Sequence, residues 1–115
     1  MVNGWTRGTF TFTNSHGETY SIPAYFKNGL AIHRCECRKK GVGKGKFWVI
    51  SHAASGLVIR ANAGSLDRTI AAAKKRATWF FSLPIDWTKN DQEFMHKVST
   101  HRKEIVDICY RPSEE

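Results

Sequence analysis

Arg38, Lys39, Lys40, Lys44 and Lys46 are crowded into one short stretch, interleaved with Gly41, Gly43 and Gly45. Lysines on a glycine-rich segment meet phosphate oxygens as point charges, without fixed geometry. Arg60 and the run Lys74, Lys75, Arg76 carry the same chemistry further along the chain. Eleven of the eighteen basic residues fall between Arg34 and Arg76, against two acids there, Glu36 and Asp67, so the formal net charge of +8 is a local field on the middle of the chain. Such a field concentrates anions and speeds encounter with them. Phe47 and Trp48 adjoin it and would stack on bases where exposed, although a tryptophan in a strand is more often core.

Other chemistries fit less well. The stretch Gly41 to Lys46 superficially suggests a phosphate-binding loop. Phe47 stands where that loop needs Ser or Thr, Lys40 where it needs its first glycine, and a strand rather than a helix is expected next. His33, Cys35 and Cys37 share strand parity, so all three would point one way. A zinc site would need a fourth ligand such as His52 or Cys109, and the Cys-x-Cys spacing is shorter than the usual knuckle. The three cysteines, an odd count, read as free thiols of a reducing compartment. His16, His33, His52, His96 and His101 have no carboxylate pair at convincing spacing. Ser51-His52 and Ser55-Gly56 do not make a nucleophile elbow. The sequence therefore predicts no catalytic residue, no metal and no cofactor.

The elements that must position the cations are mostly strands. Thr9 to Thr13 alternates threonine with Phe10 and Phe12, and Glu18 to Ile22 answers with Tyr20 and Ile22. Asn14 to Gly17 forms the turn between them. Pro23 is expected to end that strand, with Ala24 to Lys27 a separate short one. Asn28-Gly29 is a two-residue hairpin signal, with a return strand from Leu30 to Cys37. A mobile loop over 38–46 follows, then strands Phe47 to His52 and Leu57 to Ala61 around the turn Ala53 to Gly56. Ser65 is expected to cap a helix, with Asp67 in its first turn. Leu66, Ile70, Ala73, Ala77 and Phe81 form its apolar stripe. A second helix is predicted from Asp91 to Tyr110, started by Asn90 with Glu93. The apolar stretch Trp79 to Trp87 is expected to seal the core, and 111–115 to be a polar tail.

Strands first and helices last imply an α+β domain: a curled antiparallel sheet of about five strands with two C-terminal helices on one face. One domain over 1–115 is expected, with no membrane span and no apolar N-terminal signal core, hence a cytoplasmic monomer or homodimer. The function expected is non-enzymatic binding of DNA or RNA. Arg38, Lys39, Lys40, Lys44, Lys46, Arg60, Lys74, Lys75 and Arg76 would contact phosphates. The alternative is an inhibitor of the kind phages and mobile elements make, which blocks a host nuclease or defence complex by docking basic residues on an acidic protein surface.

Overall fold

In the computed structural model, residues 4–13, 16–35, 45–59 and 67–113 are described. They form an antiparallel sheet of β1 (Thr6–Thr13), β2 (Thr19–Lys27), β3 (Leu30–Arg34), β4 (Trp48–His52) and β5 (Leu57–Val58). The helices α1 (Ile70–Phe81), α2 (Gln92–Thr100) and α3 (Arg102–Tyr110) follow. The strands lie in chain order, each paired with the next. The architecture is the expected α+β arrangement, with the sheet curled into a half-barrel.

Asn28-Gly29 makes the β2–β3 turn, with φ of 46° and 88°. Both dihedrals lie in the left-handed region such a turn requires. Gly29 is also obligatory by contact, since a Cβ there would sit 2.2 Å from the Trp87 carbonyl oxygen. The turn sets the register Tyr25 to Ile32, and β3 then pairs Ile32 with Ile50 and Arg34 with Trp48.

Alternation along these strands separates two apolar layers. Leu30, Ile32 and Ile50 meet α1 through Ala73, Ala77 and Phe80. The opposite face gathers Phe10, Ile22, Ala24 and Ala31 inside the curl. Phe10 of β1 stacks on His33 of β3 at 4.9 Å although β2 separates their strands, which measures how tightly the sheet bends. The predicted partnership of the two phenylalanines holds: Phe10 faces Ile22 and Phe12 faces Tyr20.

Several boundaries differ from expectation. Pro23 does not end a strand: β2 runs through it, paired to Thr9. The β2–β3 ladder covers Tyr25 to Lys27 only, so the missing proline N–H costs no bond to β3. β5 ends at Val58, although Ile59 still donates to the Ile50 carbonyl. The expected cap Ser65 lies outside the described residues; Thr69 caps α1, accepting from Ala72 N at 3.1 Å. Asp67 precedes the helix instead of joining its first turn, and its backbone bridges Trp48.

The second predicted helix is two. Asp91, not Asn90, caps α2 by accepting from Phe94 N. His101 leaves helical geometry, with φ −102° and ψ 20°. Thr100 bonds back to the His96 carbonyl and the His101 imidazole pairs with Glu104 at 2.8 Å, two contacts that favour a bend. The stretch before α2 does close the core. Phe80, Ile85 and Trp87 are buried, and Trp87 Nε1 donates to the Phe80 carbonyl. Among the described residues no helix is long and apolar enough to cross a membrane.

Candidate polyanion-binding face

β4 begins at Trp48, and Arg34 of β3 and Lys46 lie at that end of the strand. Arg34 lies opposite Trp48 in the β3–β4 register and sets its guanidinium 4.6 Å from the indole centroid. Arg34 is exposed and Trp48 half-buried, so one edge of the pair packs on the core and the other meets solvent. Tyr25, on the same face two strands away, lies under the Lys74 ammonium at 5.6 Å. Lys46 is exposed two residues before Trp48.

Cys35 and Gly45, which flank the segment 36–44, meet at this point. Cys35 N donates to the Phe47 carbonyl at 2.9 Å and Gly45 N to the Cys35 carbonyl at 2.9 Å, closing its two stems. Arg34 Nη1 adds a 3.3 Å bond to the Gly45 carbonyl. A Cβ at Gly45 would meet Cys35 Sγ at 2.5 Å, so the close approach of the stems depends on glycine there. Arg38, Lys39, Lys40 and Lys44 belong to that segment and lie, like Arg60, outside the described residues.

The carboxylate bound to this end of β4 does not offset the cations. Asp67 exchanges backbone bonds with Trp48, at 2.6 and 3.0 Å, but its side chain turns inward to Arg76. Here one expectation is corrected. Arg76 is 3% exposed and fully engaged, so it cannot contact phosphate. Its Nε and Nη2 form a fork on Asp67 at 3.0 and 2.8 Å. Nη1 donates to the Ile108 and Arg111 carbonyls at 2.6 Å each, which ties down the end of α3. Ser113 completes the group by donating to Asp67 at 2.6 Å, so this part of the expected polar tail is buried. Burial without solvent requires such complete pairing. Lys75, one position earlier, is exposed beside Trp79.

Sequence reasoning counted Arg34 in the charge field but did not place it at the site. The signal was available: the Asn-Gly turn and alternation of β3 and β4 put it across from Trp48.

Two serine–histidine pairs involve β4: Ser51 with His33 of β3, and His52 with Ser55 of the following turn, and in both the imidazole nitrogens are taken up by internal bonds. His33 Nε2 lies 2.7 Å from Ser51 Oγ, and its Nδ1 donates to the Arg34 carbonyl. Burial pushes the His33 pKa down, and the backbone bond opposes this in part. Ser51 has no exposed surface, so no substrate reaches it. His52 Nε2 donates to the Trp87 and Lys89 carbonyls, and its Nδ1 accepts from Ser55. The His52 ring stacks on Phe94 at 4.4 Å. Of the His33, Cys35, Cys37 set, Cys37 lies outside the described residues, and among those described no cluster of His, Cys, Asp and Glu has metal-binding geometry.

Comparison of the chain with protein-family models, with curated proteins and with solved structures found no match.

Proposed function

We propose that the protein is a small non-enzymatic binder of nucleic acid, engaging the phosphate backbone at the Trp48 end of the sheet. The observation that carries this reading is Arg34 over Trp48 where the stems of a four-cation segment close. Cations at such a closure reach phosphates. The half-exposed indole and the Tyr25 ring offer faces for base stacking, and the nearest bonded carboxylate is neutralised internally by Arg76. The phosphate contacts assigned are Arg34, Arg38, Lys39, Lys40, Lys44, Lys46 and Lys74. They supply affinity and orientation, not base identity.

Fluorescence anisotropy with labelled 20-nucleotide single strands and duplexes tests it. Binding is expected in low salt, with log K falling against log salt at a slope of about −5 for single strands to about −6 for duplexes. Changing Lys39, Lys40, Lys44 and Lys46 together to Ala should remove most of the affinity and leave thermal unfolding unchanged. No binding to DNA or RNA at 50 mM salt by a folded protein would overturn the reading in favour of an acidic protein surface, as a protein inhibitor would use.

A further inference from the structure

β5 is one of the two edge strands of the sheet. The bond from Ile59 N to the Ile50 carbonyl makes those two a hydrogen-bonded pair. Antiparallel ladders alternate, so the next pair, Ser51 with Val58, is not hydrogen-bonded across β4. The N–H and C=O of Val58 therefore point away from the sheet, along an edge that no described strand covers.

That edge forms one wall of a groove of about 490 Å³ whose other wall is α2 and α3. Its floor is Trp87, Phe94 and the ring of His52, whose two nitrogens are already bonded. Of the five large apolar residues that the described surface exposes, Leu57, Val58, Met95 and Val106 all line this groove. Isolated exposed apolar residues are ordinary, but convergence of most of them on one concave surface marks a binding site. Arg102 stands at the rim, exposed.

We infer that this groove takes an extended segment of a partner protein, which adds to β5 as a sixth strand. Two main-chain bonds to Val58 fix its register. Alternate apolar side chains enter between Leu57 and Met95, and an acidic side chain pairs with Arg102. The edge favours a strand over a helix, since a helix has no free backbone groups to offer Val58. The site is independent of the cationic face and survives if the nucleic-acid reading fails.

A phage-displayed library of linear octapeptides, selected on the whole chain, tests the inference. Enriched peptides should carry apolar residues at every second position and an Asp or Glu. A synthetic copy of the leading peptide should lose at least tenfold in affinity on Val58→Pro or Met95→Asp and at least fivefold on Arg102→Glu. N-methylation of that peptide at successive single amides should abolish binding at one of them; this leaves the protein unaltered and keeps the test open should Val58→Pro disturb the hairpin. Failure to enrich any clone above a bare-surface control would overturn the inference. So would apolar residues spaced three and four apart, as in a helix, or binding indifferent to both Val58→Pro and N-methylation. Concentration-dependent dimerisation abolished by Met95→Asp would instead assign the groove to a second copy.

Discussion

The two ends of β4 are built alike and present opposite chemistry. Four residue steps, about 13 Å at ~3.3 Å per residue, separate Trp48 from His52. Between them Ile50 is wholly buried under α1. At each end a residue whose aromatic ring lies on the helix-bearing face is bonded to a segment remote in sequence, through its main chain at Trp48 and through its ring nitrogen at His52. Trp48 is joined to Asp67, and His52 to Trp87 and Lys89. What differs is the neighbourhood. Glycines and lysines flank Trp48, whereas an edge strand and an amphipathic helix pair flank His52. A short rigid strand thus separates a cationic surface from an apolar one, and each can change without the other so long as the middle holds.

The most damaging way to break the comparison is to remove its shared support. Asp67→Ala leaves the buried Arg76 guanidinium without its counter-charge and should cost about 3–5 kcal/mol in urea unfolding. Both ends should then fail together. A loss under about 1 kcal/mol would mean that Arg76 finds water, and that the Trp48 end is held by packing alone. Gly29→Ala attacks the other end. The left-handed φ and the collision with the Trp87 carbonyl should together cost about 2 kcal/mol or more. Trp87 fluorescence should change with it.

Much of this was legible in the sequence because local signals agreed with the fold. Phe10, Phe12, Tyr20 and Ile22 alternate, and Asn28-Gly29 permits one turn type. The stripe Ile70, Ala73 and Ala77 found its sheet. The failures have a common cause. Arg76 is charged and lies in a basic run, so composition places it outside; only its tertiary partners Asp67 and Ser113 and the carbonyls ending α3 explain its burial. The bend at His101 is likewise set by two side-chain bonds, which periodicity does not register. The groove escaped notice because Leu57 and Met95 are unremarkable singly, and only the fold brings them to one surface.

Acid tests the buried His33–Ser51 pair. His33 has its pKa held below the ordinary 6.5 by burial. The unfolded chain therefore binds that proton more readily than the folded one. His33 thus favours folding fully above about 6.5, and this contribution is lost as pH falls through the lower folded value. Thermal unfolding of the native chain should show a midpoint that drops from pH 7.5 to pH 5, and His33→Gln should flatten that part of the profile. An equal drop in His33→Gln would place the sensitivity in other groups.

The smallest expected effects on stability separate the two surfaces most cleanly. Arg34→Ala removes an exposed cation from Trp48, an interaction of about 0.5–1 kcal/mol. Met95→Asp alters a residue 61% exposed, and its effect on folding should stay within about 0.5 kcal/mol. Their effects on binding should be reciprocal. Arg34→Ala should weaken nucleic-acid binding roughly three- to tenfold and reduce the salt slope by about one, since one phosphate contact is lost. Met95→Asp should leave both unchanged while abolishing peptide capture at the groove. If Met95→Asp instead lowers nucleic-acid affinity as much as Arg34→Ala does, the two ends of β4 act as one surface. The long-range field of the molecule, not the constellation around Trp48, would then be what draws the polyanion.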